Sequence, residues 1–209
     1  MAMRLNREQV LTAALGLLDE AGLDQLTMRA LAAELRVQNG ATYWHFPSKQ
    51  ALLAAMADRL LGGLTTGLDE GQPWQERIAE LARRLRRALL SRRDGARLFS
   101  GRFFPLPNAL AYGEAVIAAL RDAGLPARDA AWAADTLTYY VVGHATEEQL
   151  AAALPDGGRS EVSRLTRAVD PERHPHLHAA LPHIPAPHPD EHFEYGLHLV
   201  LAGISADRA

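Results

Sequence analysis

Residues 27–49 read TMRALAAELRVQNGATYWHFPSK, and this stretch decides the fold. Leu31 and Leu35 lie four positions apart, which gives the first half of the stretch one apolar helical stripe. Thr27 precedes that stripe and is a favourable N-cap, because its hydroxyl can accept a hydrogen bond from a free backbone N–H. The pattern breaks after Leu35, and a second short helix is predicted from about residue 39 to residue 46.

The sequence also predicts where the second helix ends. Pro47 cannot continue a helix, and the hydroxyl of Ser48 can cap the helix that follows. Two short helices joined by a tight turn predict a helix-turn-helix, whose second helix can enter a DNA major groove. The same spacing also fits an ordinary amphipathic helix pair with its aromatic residues in the core.

Hydrogen-bond donors crowd this second helix. Such side chains bind phosphate oxygens, whereas amides at the helix N-terminus can reach base edges, as Asn does with adenine. Trp44 and Phe46 are expected to supply apolar bulk on the underside of the helix. The predicted DNA-contacting set is Thr27, Arg29, Gln38, Asn39, Ala41, Thr42, Tyr43, Trp44, His45 and Lys49.

Three segments resemble the N-terminal domain of the tetracycline repressor (TetR) family. They are LDQLTMRALA at 23–32, ATYWHF at 41–46 and SKQALL at 48–53. Shorter segments match further along, at 93–96, 147–149 and 193–197. One departure is Gly40, where the tetracycline repressor has a proline, so the register of the recognition helix is less firmly fixed.

The resemblance implies an all-α fold with two parts. Residues 1–49 form a three-helix, helix-turn-helix DNA-binding domain, and residues 50–209 form a helical ligand-binding and dimerisation domain. In this family the eighth and tenth helices of two subunits pair as a four-helix bundle. Arg29 and Asn39 are then expected to read bases, while the remaining donors bind phosphates: Thr27, Tyr43, His45 and Lys49.

Composition limits the other possibilities. The chain has 209 residues, no cysteine and a formal net charge of −3, so disulfides and thiolate metal sites are excluded. We expect a cytoplasmic protein without a cofactor or a membrane partner, because no leader and no apolar run of about 20 residues is present. Near-neutral charge predicts modest non-specific DNA affinity.

Helical periodicity continues through most of the chain. Asn6 and Gln9 form a predicted capping box for the first helix. The further predicted helices run from 48 to about 62, 73–93, 96–99, 108–123, 127–154, 173–181 and 191–204, with 155–190 otherwise rich in loops. Six arginines between 83 and 93 could bind phosphate, but we expect a solvated helix face that pairs with acidic residues downstream.

An effector site is expected in the second part. Tetracycline-binding members of the family hold a magnesium–drug chelate with a histidine on the sixth helix and a glutamate on the eighth. Glu147 matches that glutamate, but Phe99 stands at the histidine position, so an apolar, aromatic pocket is predicted instead. Its predicted lining is Leu60, Leu64, Leu85, Phe99, Phe103, Phe104, Val116, Tyr139, His144 and Glu147.

The sequence therefore predicts a homodimeric repressor that binds a palindromic, double-stranded operator and is released by a small-molecule effector. No GxSxG, P-loop or HExxH motif is present, so an enzyme is not expected. Two alternatives stay open. Seven of nine histidines lie between 174 and 198 and could bind zinc or nickel; alternatively, the body could dimerise without binding any effector.

Overall fold

The computed structural model describes residues 5–101, 105–184 and 188–206, and the regular structure in these ranges is entirely helical. Eleven α-helices are described there, together with a single 3-10 turn at Leu181–His183. The helices are α1 Arg7–Ala21, α2 Met28–Glu34, α3 Asn39–Tyr43, α4 Lys49–Leu60, α5 Trp74–Leu90, α6 Gly95–Phe99, α7 Pro107–Asp122, α8 Ala127–Ala153, α9 Arg159–Ala168, α10 Pro175–Ala180 and α11 Pro189–Ala206.

The first three helices form a small head with its own apolar centre. The predicted capping box is present, since Asn6 Oδ1 accepts from the Gln9 N–H at 2.8 Å and Gln9 Oε1 accepts from the Asn6 N–H at 2.9 Å. Thr27 caps α2 by accepting from the Ala30 N–H at 3.0 Å. The predictions for these helix starts are confirmed. Fully buried residues of the head include Val10, Ala14, Leu18, Leu26, Leu31 and Phe46.

The recognition helix α3 is shorter than predicted, because it ends at Tyr43 instead of continuing to residue 46. The backbone N–H groups of His45 and Phe46 both bond to the Thr42 carbonyl, which turns the chain inward. Phe46 is consequently 1% exposed, whereas Trp44 is 89% exposed. The prediction that Trp44 packs on the underside of the helix is therefore wrong.

Helix α4 connects the head to the remaining helices. Ser48 Oγ accepts from the Ala51 N–H at 3.1 Å, which confirms the predicted cap. The helix contacts α1 in the head and both α6 and α7 in the body. An ion pair between Arg59 and Glu8 adds a polar link to α1.

The body is built around α5, α7 and α8, which pack against one another. Helix α6 lies among α4, α5 and α8, and α11 packs on α8 and α5. The core is aliphatic, with Ile78, Leu81, Leu85, Leu89, Leu98, Leu120 and Leu137 at 0–1% exposure.

The segment 155–190 contains a helix that the sequence did not predict, since α9 occupies Arg159–Ala168. None of its residues is buried, so it lacks the apolar face by which a packed helix is predicted. No helix in the described ranges is both long enough and apolar enough to cross a membrane.

Candidate DNA-binding and effector-binding sites

The turn of the helix-turn-helix is made by a Schellman motif without glycine. Arg36 has φ of 53°, and its N–H bonds to the Ala33 carbonyl while the Val37 N–H bonds to the Ala32 carbonyl, both at 3.0 Å. This left-handed residue usually is glycine, because a Cβ is strained there. The motif ends α2 sharply and sets the direction in which α3 begins.

Most of the predicted DNA-contacting residues lie on the surface around α3. Gln38, Asn39, Tyr43 and Trp44 are exposed, and Thr27 and Arg29 are exposed at the start of α2. Three further residues of the set are partly exposed: Ala41, His45 and Lys49. The fold thus brings nine of the ten residues to the surface of the head.

Thr42 is the exception, and the prediction that its side chain contacts DNA is wrong. The residue is fully buried, and its hydroxyl donates to the Asn39 carbonyl at 2.9 Å. A hydroxyl that is buried and already donating inside its own helix cannot also donate to a phosphate. Thr42 therefore stabilises the first turn of α3.

Nine of the ten predicted effector residues separate into three groups. Leu60, Leu64, Leu85 and Val116 are buried in the body, and Phe99 packs against the same core while partly exposed. Tyr139, 71% exposed, and Glu147, also exposed, lie on the outer face of α8, so they do not join the buried group within their own subunit, and their contact with an effector stays a prediction. Phe103 and Phe104 lie outside the described residues.

His144 belongs to a partly buried polar network that the sequence did not reveal. Its Nδ1 lies 2.6 Å from Glu148 Oε1, and Arg86 donates two hydrogen bonds of 2.8 Å to the same carboxylate. Arg86 also pairs with Asp190 at 2.7 Å and lies 4.8 Å from the centre of the Phe193 ring. The network joins α5, α8 and α11.

Charge compensation controls the ionisation of this network. Burial by itself raises the pKa of the Glu148 carboxyl, but the hydrogen bonds from Arg86 and His144 outweigh it and hold that pKa below its ordinary value. Bonding to Glu148 raises the pKa of Arg86 in turn. The pairing of arginines with distant acidic residues was predicted, and Arg83 bound to Glu194 at 2.7 Å confirms it again.

A second polar cluster fixes the head to the body at the loop between α5 and α6. Asp94 Oδ2 accepts from the Leu23 N–H at 2.8 Å, and Arg93 Nη1 donates to the Glu20 carbonyl at 2.8 Å. Arg97 pairs with Asp24 at 2.9 Å. We call this cluster the head–body joint; its members are Asp19, Glu20, Leu23 and Asp24 on the head and Arg92, Arg93, Asp94 and Arg97 on the body.

Gln149 on α8 holds the body side of the head–body joint. Its Nε2 donates to the carbonyls of Leu89 at 3.1 Å and Arg92 at 2.7 Å, and its Oε1 accepts from the Ala96 N–H at 3.1 Å. One amide therefore connects both ends of the loop to α8. A shift of α8 relative to α5 would reach the head through this loop as well as through α4.

The outer surfaces of α8 and α11 expose large apolar side chains. Trp132, Tyr139, Tyr195 and Leu199 are 53–71% exposed, although Phe193 and Leu197 on α11 are buried. A groove runs between the N-terminal part of α8 and the C-terminal half of α11. It is lined by Trp132, Thr136, Leu199, Val200, Gly203 and Ile204, among others.

The histidines of the segment 174–198 do not form a metal site in the described part of the chain. All seven are exposed there, and no group of three His, Cys, Asp or Glu residues is arranged to hold a metal ion. In that part, His174 Nδ1 accepts a hydrogen bond of 3.3 Å from the Asp170 N–H.

Two family models match the chain, one on the head and one on the body. The model described as bacterial regulatory proteins, tetR family, matches residues 10–56, and the tetracyclin repressor-like, C-terminal domain matches residues 66–208. The chain belongs to the TetR family. It therefore is a helix-turn-helix transcriptional regulator, as its recognition helix and resemblance predicted.

Several proteins are similar to this TetR-family chain over nearly its full length. The tetracycline repressor protein class A from transposon 1721 of Escherichia coli is 37% identical over 98% of this chain and 93% of its own length. The Streptomyces coelicolor TetR family protein ActR, solved in complex with actinorhodin, superposes with a TM-score of 0.87 at 30% identity, covering 98% of this chain and 99% of ActR. BioQ, solved with its double-stranded DNA operator, gives a TM-score of 0.71 at 34% identity, covering 97% of this chain and 99% of BioQ.

Proposed function

We propose that the chain acts as a homodimeric repressor that binds a palindromic operator and is released by a small hydrophobic or aromatic molecule. The observation that carries the proposal is that the head, which presents an exposed, donor-rich recognition helix, is joined to the body at two places, α4 and the head–body joint. The chain then acts by binding and not by catalysis, in the cytoplasm, where bacterial operator DNA lies.

DNA binding is assigned to residues 1–49. Gln38 and Asn39 begin α3 and are exposed, so they can meet base edges in the major groove, with Arg29 reading a neighbouring base. The hydroxyl of Tyr43 and the ammonium of Lys49 can bind phosphates on either side of that groove. BioQ bound to its operator supports the same use of the helix-turn-helix here.

Dimerisation is assigned to α8 and α11, within residues 50–209. Their outer surfaces expose aromatic and aliphatic side chains in quantities that a solvated helix does not need. Pairing of two copies through these helices would place two recognition helices about 34–36 Å apart, in successive major grooves of one operator. Glu147 and Tyr139 would then face the second subunit rather than their own.

Effector control follows from linkage between the two parts. A molecule that binds the DNA-incompetent arrangement of the heads more tightly than the DNA-bound arrangement lowers operator affinity. By linkage, the operator lowers the affinity for that molecule by the same factor. ActR bound to actinorhodin supports a small-molecule effector in this body. The buried aliphatic wall of Leu60, Leu64, Leu85 and Val116 favours an apolar effector, since it offers no charge to pair with an ionic one.

One experiment tests the proposal. Duplexes selected from a random library by the full-length protein should converge on a palindrome with half-sites one helical turn apart. Aromatic metabolite fractions, zinc and nickel are then added separately while operator binding is followed by fluorescence anisotropy. Release by an aromatic fraction supports the proposal. If only a metal releases the operator, or if no member of a broad metabolite set does, the effector part of the proposal is contradicted. Failure to select any duplex contradicts the DNA-binding part.

A further inference from the structure

Tyr112 buries a hydroxyl group that has no hydrogen-bond partner in the described residues. The residue lies on α7, is 6% exposed, and its Oη is excluded from solvent. The other tyrosine of the body interior, Tyr140, instead donates to the Phe193 carbonyl at 2.6 Å. A buried hydroxyl without a partner loses its hydration and gains nothing in return, so its retention calls for a functional explanation.

The position of Tyr112 connects it to the link between body and head. Asn108 lies one helical turn before it, and its amide donates to the Asp58 carbonyl at 3.1 Å and to Asp58 Oδ2 at 3.0 Å. Asp58 Oδ1 also accepts from the Ala109 N–H at 2.8 Å, so this carboxylate on α4 caps the first turn of α7. Tyr112 therefore lies one turn from the point where α7 is bonded to α4.

The same face of α7 continues into the apolar interior. Val116, one turn after Tyr112, is 2% exposed and belongs to the predicted effector-binding wall. The face thus runs from a polar contact with α4, through one unpaired hydroxyl, to purely apolar side chains. Binding sites for small molecules commonly have this composition, in which a few polar groups orient a ligand against an apolar wall.

We propose that the Tyr112 hydroxyl is the donor that binds a neutral acceptor oxygen, of the carbonyl class, on the effector. This inference rests on the proposed effector control and specifies the chemistry of that site. Burial raises the pKa of the phenol, so the group stays protonated and able to donate. An anionic acceptor is disfavoured because a neutral phenol in the buried interior supplies no positive charge to compensate it.

The consequence for control is geometric. An effector oxygen bound to Tyr112 places the ligand one helical turn from the Asp58–Asn108 contact, and hence beside the helix that leads into the DNA-binding head. Tyr112 would be the polar contact that orients the ligand, and α4 would be the element that responds to it.

Two probes of the same shape test the proposal. Fluorene and 9-fluorenone are both flat tricyclic molecules, and only the second carries a carbonyl oxygen. We expect the wild-type full-length protein to bind 9-fluorenone about fivefold more tightly than fluorene, as one neutral hydrogen bond allows. Tyr112→Phe should remove this preference by weakening only the 9-fluorenone complex, as measured by quenching of tryptophan fluorescence.

Tyr140→Phe is the matched control, because it removes a hydroxyl that already has a partner. It should lower thermal stability and keep the preference for 9-fluorenone, whereas Tyr112→Phe should leave stability unchanged or raise it. Equal binding of the two probes by the wild type, or an unchanged preference in Tyr112→Phe, overturns the assignment. A loss of stability in Tyr112→Phe equal to that in Tyr140→Phe also overturns it, since the hydroxyl would then have a partner within the protein.

The selected operator separates this inference from the function on which it rests. If both probes bind equally and 9-fluorenone still releases the operator, the assignment of Tyr112 is wrong and effector control stands. If neither probe binds while operator binding persists, both the aromatic class of effector and the assignment of Tyr112 are wrong.

Discussion

Asp94 Oδ2, in the loop after α5, accepts a hydrogen bond at 2.8 Å from the backbone N–H of Leu23, which follows the end of α1. The contact joins the effector-binding body to the DNA-binding head at a place other than α4. Gln149 holds the same loop to α8 by three hydrogen bonds. The orientation of the head is therefore fixed by two independent connections.

Asp94→Gly tests the importance of the second connection. Asp94 has φ of 56°, a conformation that glycine adopts without strain, so the change removes the carboxylate and little else. We expect hydrogen exchange at the Leu23 amide to accelerate about tenfold, equivalent to about 1.4 kcal/mol of lost protection. Asp69→Gly, in an exposed loop of the body, is the control and should leave that amide unchanged. Equal protection in wild type and Asp94→Gly would show that the contact does not restrain the head.

Lys49→Ala tests the assignment of a phosphate contact. The side chain is partly exposed at the first residue of α4, beside α3. Its removal should weaken binding to all duplexes and reduce the slope of log affinity against log salt by about one unit. Fluorescence anisotropy at several salt concentrations measures the slope. An unchanged slope together with unchanged affinity would mean that Lys49 does not contact DNA.

Glu148→Gln tests the partly buried network around Arg86, with Glu147→Gln as the adjacent, exposed control. Because the pKa of Glu148 is lowered in the folded state, its carboxylate adds stability above its unfolded pKa of about 4.3, and this contribution is lost as pH falls through the lower, folded pKa. We expect Glu148→Gln to cost about 2 kcal/mol at pH 7 and progressively less towards pH 3.5. Urea unfolding at pH 7, 5 and 3.5 gives the three values. A cost that does not change with pH, or one shared by Glu147→Gln, contradicts the network.

Leu199→Asp tests the proposed dimer surface. Leu199 is 53% exposed on α11, so a single subunit has little to lose from the change, whereas a pairing of two subunits would bury the new charge. We expect a dimer interface of more than about 2,000 Å² in the wild type and monomers in the variant, by light scattering after gel filtration. Leu177→Asp, also exposed but on α10, should remain dimeric. Identical masses for both variants would place the interface elsewhere.

Tetracycline with magnesium should neither bind nor release the operator, despite the 37% identity to a tetracycline repressor. Phe99 offers no lone pair where the tetracycline-binding members place a histidine, and one lost ligand weakens a metal site by at least about tenfold, or 1.4 kcal/mol. Glu147 lies exposed on α8 and cannot replace it within its own subunit. Titration calorimetry decides the point, and micromolar binding that releases the operator would show the prediction to be wrong.

Local sequence predicted the helix starts because each cap involves residues only three positions apart. Asn6 with Gln9, Thr27 with Ala30 and Ser48 with Ala51 all form as expected. Helix ends were less predictable, because they depend on tertiary packing. The helix α3 stops at Tyr43 since Phe46 inserts into the core of the head, and this leaves Trp44 in solvent.

Contacts between residues far apart in the chain could not be predicted from the sequence. The arginine cluster predicted ion pairs in general, but not that Arg86 would bind Glu148 instead of its neighbour Glu147. Adjacent residues on a helix point about 100° apart, so a shift of one residue exchanges a partly buried position for an exposed one. No pattern in the sequence around Asp94 or Leu23 predicts the hydrogen bond between them, because its acceptor and donor come together only when the body packs against the head.

Helix α11 divides its two faces between separate tasks, with Phe193 and Leu197 in the core of its own subunit and Tyr195 and Leu199 outside. The ribosome makes this helix after α1–α10. Until it emerges, a nascent chain can complete neither its own core nor the proposed pairing surface, even when its head has folded. Tight operator binding, which needs two heads, would therefore be withheld from unfinished chains, and incomplete products of translation would not compete with finished dimers for the operator.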